Sequence, residues 1–161
     1  MSKEHVIEFV LDVYKSNKPT KEYMDYVLNP NEKEMLEKYR KVIIEEFYPN
    51  KNTFDPKTRF SVCKKAISKF KSFKPAPGIL ADLMLTLPEN ACQFAYDYGD
   101  LWEQFYDSAK TNFEIALKYI EKNGLLETFK QRCGKCVQHA SPCEYGFCES
   151  IESLYDEYYK D

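Results

Sequence analysis

Ile79-Leu80-Ala81-Asp82-Leu83-Met84-Leu85-Thr86-Leu87 is apolar on most sides when wound as a helix, and such a helix belongs at the centre of an assembly rather than on its surface. Pro88 is expected to kink or restart it, after which it runs on through Phe94 and Tyr96 to a helix-ending Gly99. On its other side, Lys74-Pro75-Ala76-Pro77-Gly78 is the clearest break in the chain. Neither flank carries an obvious complete core, so these residues read as a rigid Pro-rich corner at 74–78 inside one domain spanning 1–161.

Outward from this centre the apolar residues recur at helical spacing in both directions. Val6, Phe9, Val10 and Val13 share one face of a first helix, and Thr20 can cap a second carrying Tyr23, Met24, Val27 and Leu28. Asn29-Pro30, with Glu32 at the capping-box position, is expected to open a third helix through Met35, Leu36, Tyr39, Ile43 and Phe47. Asp55-Pro56 repeats that signal ahead of Phe60, Cys63, Ile67 and Phe70. Beyond the centre, Asp100 is expected to cap a long helix through Phe113 and Ile120, which Asn123-Gly124-Leu125 closes with a Schellman turn. Phe129, Cys133, Cys136 and Ala140 stripe the next helix, and Ser141-Pro142-Cys143-Glu144 is expected to cap a last one through Ile151, Leu154 and Tyr158. The expectation is an all-α fold of about 7–9 helices stacked as antiparallel hairpins, either a bundle or a short α-solenoid-like array.

Composition agrees. Among 161 residues, 43% are hydrophobic and 30% charged, which suits a globular chain, and only 5 are glycine, which disfavours a turn-rich β fold. A net charge of −3 implies no polyanionic partner for the molecule as a whole. No signal peptide and no membrane-spanning run is visible, so the six cysteines read as reduced thiols in a cytoplasm.

Several segments carry a resemblance. Tyr26-Val-Leu-Asn-Pro-Asn-Glu32, Ala81-Asp-Leu-Met-Leu85, Gly99-Asp100-x-x-Glu103-x-Phe105-Tyr106-x-Ser108, Lys122-Asn-Gly-Leu-Leu-Glu127 and Arg132-Cys133 together resemble a bacterial domain family of unknown function. The resemblance covers most of the chain. It implies a small, cytosolic, helical bacterial protein with no assigned activity.

Three residue groups could carry chemistry. Cys133-x-x-Cys136-x-x-His139-x-x-x-Cys143 offers the thiolate and imidazole ligands that tetrahedral zinc prefers. Cys133 and Cys136 also fall on the apolar side of their helix, where a free cysteine is an ordinary core residue. Asp100, Trp102, Glu103, Tyr106 and Asp107 form an acidic-aromatic segment suited to a ligand or partner surface, although Asp100 and Glu103 have capping-box spacing too. Lys57, Lys64, Lys65 and Lys71 belong to a basic stretch, 57–74, with seven basic and no acidic residues. Such a stripe could meet nucleic-acid phosphates, or serve simply as a solvated face. Residues 1–80 carry net +5 and residues 81–161 net −8, so the halves could complement each other within the fold or between protomers of a homo-oligomer. Asp82, in its apolar run, should pair with a cation if buried.

No residue set earns a catalytic assignment. The expectation is a cytoplasmic protein-interaction or scaffold module with a protein partner, no membrane association and no cofactor. Nucleic-acid association through 57–74 is the first alternative, and zinc on the 133–148 cluster the second.

Overall fold

The computed structural model describes residues 1–160, and within them the chain forms eight α-helices and no strand. They are α1 (Lys3–Ser16), α2 (Lys18–Leu28), α3 (Glu32–Phe47), α4 (Phe60–Ser72), α5 (Pro77–Tyr98), α6 (Glu103–Lys122), α7 (Leu126–Ala140) and α8 (Phe147–Tyr159). The all-α fold expected from periodicity is what forms.

Consecutive helices pair as α1/α2, α3/α4, α5/α6 and α7/α8. Across these hairpins α3 packs on α5 and α5 on α7, while α6 packs on α8. This is the stacking of a short solenoid-like array. The opening stretch sits where its hydrophobicity requires. Within α5, Leu80, Ala81, Leu83, Leu85, Thr86 and Leu87 are all buried, and α5 packs against α3, α4, α6 and α7. Pro88 does not interrupt it. Thr86 Oγ1 donates to the Asp82 carbonyl at 2.8 Å and Asn90 Nδ2 to the Thr86 carbonyl at 2.7 Å, side-chain bonds that flank the Met84 carbonyl, whose usual N–H partner Pro88 lacks.

The helix ends depart from the sequence expectations in an instructive way. Asn17, not Thr20, caps α2, its side chain accepting from Thr20 N–H while its own N–H closes α1. Asn31 caps α3 in place of Asn29 and exchanges side-chain bonds with Glu34. That frees Glu32 to accept from the Tyr26 hydroxyl (2.8 Å) and the Ala76 N–H (3.1 Å), which ties α2 and α3 to the Pro-rich corner. Burial, then this bond, pushes the Tyr26 hydroxyl up to about 12. Neither Asp100 nor Ser141 opens a helix. Helix α6 starts behind Trp102 and α8 behind Gly146, and Ser141 instead closes α7. The Schellman turn is present: Leu125 N–H reaches the Ile120 carbonyl (2.9 Å) and Gly124 N–H that of Glu121 (3.0 Å), with Gly124 at φ +68°.

Asp55-Pro56 likewise starts nothing, because a long-range partner outcompetes it. The buried Glu46 of α3 accepts from Arg59 N–H (3.0 Å), Nε (3.1 Å) and Nη2 (2.8 Å), while its carbonyl takes Thr58 N–H (2.8 Å). One carboxylate thereby anchors the 50–59 loop and satisfies the entrance of α4. Burial alone would raise the Glu46 carboxyl, but the Arg59 bonds outweigh it and hold the group below the usual range.

Candidate functional site

The acidic-aromatic segment occupies the α5–α6 corner, and the structure divides it. Tyr106 is core rather than surface: its ring packs on Phe147 (4.9 Å) and its hydroxyl accepts from Leu101 N–H (3.3 Å). That bond fixes the linker from which Trp102 projects. Trp102 is 54% exposed, and Asp100, Glu103 and Asp107 are exposed as well. Asp100 takes a left-handed conformation at φ +42°, following Gly99 at φ +58°, so the chain turns sharply before α6.

Two aromatics outside the proposed set are rooted in the same buried rings as Trp102. Tyr98 and Phe54 are each about half exposed and stack on one another at 5.5 Å. Beneath them lies a connected group of rings. Tyr98 meets Phe94 at 4.7 Å, Phe94 meets Phe105 at 5.8 Å, and Trp102 meets Phe105 at 5.4 Å. Phe47 and Phe60 close the cluster from α3 and α4. The Tyr98–Phe54 stack and Trp102 thus rise from one buried ring cluster, called the ledge below, and the buried roots fix these rings before anything binds. Asp97, Asp100 and Glu103 flank it in the chain. Asp97 accepts from the Tyr48 hydroxyl at 2.6 Å, and burial with that bond drives the hydroxyl well above its ordinary range. Tyr98 already lay within the aromatic run. Phe54 gave only one signal, a large apolar residue at the end of a polar loop.

The basic stretch begins before its helix, since Lys57 precedes α4 and pairs with Asp55. Lys69 pairs with Glu22 and Arg59 with Glu46. Lys64, Lys65 and Lys71 are exposed and have no acidic partner among the described residues.

The cysteine cluster points in several directions. Cys133 and Cys136 are fully buried, Cys143 and His139 half-buried. Cys133 accepts from the Tyr159 hydroxyl (3.7 Å), and burial pushes its thiol up to about 11. Cys136 lies beside Cys92, and that neighbour together with burial raises its thiol well above the ordinary range. His139 packs on Tyr96 at 5.4 Å. Among the described residues no group of three or more His, Cys, Asp or Glu side chains is arranged to hold a metal ion.

Asp82 finds its cations. Arg40 of α3 bonds its carboxylate from one side and Arg132 of α7 from the other, at 3.0 Å. Arg132 also grips Glu89 through Nε (3.1 Å) and Nη2. This four-residue ladder crosses α3, α5 and α7 and joins the basic and acidic halves within one chain. Its groups are mutually satisfied, which makes it a staple between helices rather than a reactive site.

No described helix is long and apolar enough to cross a membrane. No curated protein and no solved structure matches the chain. A family of unknown function, DUF6155, has a model that matches residues 1–159, and the chain belongs to that family.

Proposed function

We propose that the protein is a non-catalytic interaction module that docks a basic segment of a protein partner on the Phe54–Tyr98–Trp102 ledge. The observation that carries this reading is three half-exposed rings rising from a buried ring cluster. Anchored aromatics lose little freedom on binding and are the residues most often found at the energetic centres of interfaces. The carboxylates beside them favour a partner bearing Lys or Arg, whose cation can also lie over a ring face. A reducing bacterial cytoplasm is part of this proposal, supported by six free thiols, four of them buried, and by the sequence resemblance.

The test is a photo-crosslinking residue placed at Tyr98 in the native cell. Crosslinked peptides rich in Lys or Arg next to apolar residues, and lost when Trp102 is also changed to Ala, are the expected result. Crosslinks indifferent to Trp102, or to acidic peptides only, would refute the assignment. A second reading, nucleic-acid association, rests on Lys64, Lys65 and Lys71 standing exposed without carboxylate partners among the described residues. It predicts oligonucleotide binding that weakens steeply with salt and is lost in a triple Lys→Gln variant.

A further inference from the structure

The first hairpin is unlike the rest. Helix α1 has 14 residues and none is buried, yet Val6, Ile7, Phe9, Val10 and Leu11 are exposed on it, and Val27 and Leu28 on α2. At 100° per residue the apolar side chains of α1 cover about 200° of its circumference, with Glu8, Asp12 and Lys15 on the remainder. Its hairpin partner leaves only Val13 and Tyr14 half-buried. In a helical array a hairpin ordinarily buries its apolar face against its neighbours. This one does the opposite.

We infer that the α1–α2 face is covered by a second copy of this chain, packed antiparallel on the first. Size and charge both argue for it. The seven exposed side chains present on the order of 600 Å² per chain, so two copies could bury at most about 1,200 Å², the lower edge of the range for specific interfaces. Glu4 and Lys15 stand three turns apart on one edge of the apolar stripe. Antiparallel copies related by a two-fold axis set each Glu4 against the other copy's Lys15, twice over, while Phe9 and Val10 meet at the axis. A lipid surface fits worse, because the polar side of α1 carries Glu8 and Asp12 where a membrane-lying helix carries Lys and Arg. This surface is separate from the ledge, so either assignment can fail without the other.

The experiment is sedimentation equilibrium on the full chain at about 1–100 μM protomer. The expected mass is twice the 19.0 kDa chain. Phe9→Glu should weaken dimerisation by roughly tenfold or more with an unchanged helical circular-dichroism spectrum, since Phe9 packs on nothing in its own core. Glu4→Lys and Lys15→Glu should each weaken it and together restore it. A monomer throughout that range, a dimer that survives Phe9→Glu, a double charge swap that fails to restore, or a monomer that floats with vesicles would each overturn the inference.

Discussion

Replacing Arg132 by Met should destabilise the fold by about 2 kcal/mol, and the structure says why the figure is neither larger nor smaller. Arg132 makes charge-assisted bonds to Glu89 at 3.1 Å and to Asp82 at 3.0 Å, and such bonds contribute about 1.5–3 kcal/mol each when well shielded. All three side chains keep about a quarter of their surface in water, so solvent competes and the lower end applies. Asp82 retains Arg40 after the change, whereas Glu89 loses its grip. Met keeps the aliphatic stem against Phe129, over which the guanidinium now lies at 5.5 Å, so the loss is electrostatic rather than a cavity. For a chain of this length the midpoint of thermal unfolding should fall by about 4–8 °C. The assay is thermal and urea unfolding of wild type, Arg132→Met, Glu89→Gln and the double variant, at low and high salt. The double should cost less than the sum of the singles by about 1–2 kcal/mol, and the deficit should shrink as salt rises. Additive single effects, or a midpoint that does not move, would refute the staple.

Two glycine-to-alanine changes should act with opposite signs. Gly124→Ala should cost about 1 kcal/mol, because φ +68° disfavours any Cβ although space is open, whereas Gly134→Ala inside α7 should stabilise by about 0.5–1 kcal/mol, its new methyl meeting Tyr155 Oη at an ordinary 3.9 Å; chemical unfolding checks both. Glu46→Gln should loosen the 50–59 loop at neutral pH, seen as faster amide exchange at Thr58 and Arg59. Because Glu46 is held below the usual carboxylate range when folded, its stabilising share is present above the unfolded value near 4.5 and lost as pH falls through the folded one; the gap between wild type and variant should therefore close in acid. In thiol labelling at mild alkaline pH, Cys148 should react first and Cys63, held up to about 12 by burial, only on unfolding. Rapid labelling of Cys63 in the folded chain would contradict its placement in the core.

Where helices run was legible from periodicity, since Leu83, Ile120 and Ile151 announce their faces locally. Where several of them start was not. Asp55-Pro56, Asp100-x-x-Glu103 and Ser141-x-x-Glu144 all have the local pattern of a cap. Tertiary partners overrode the first two, as Glu46 came from α3 to meet Arg59 and Tyr106 held Leu101, while Ser141 was taken up by the end of α7. Asp82 was readable as half of an ion pair, but its two arginines lie 42 and 50 positions away in sequence. The ledge was half legible. Trp102 and Tyr98 lay in a conspicuous aromatic run, whereas Phe54 joins them only because Glu46 folds its loop over the end of α5. The buried thiols show the reverse case, a motif with metal-like spacing whose members turn to different neighbours.

Trp102 is the chain's one tryptophan, so its emission reports on the ledge directly. Titration with a panel of short peptides, basic-apolar, acidic-apolar and neutral, should give a saturable blue shift and reduced acrylamide quenching with the basic-apolar members alone. The shift should weaken with salt and vanish in Tyr98→Ala. Emission and quenching unmoved by every basic peptide at low salt, or moved equally by the acidic ones, would contradict the assignment of the ledge as the docking surface.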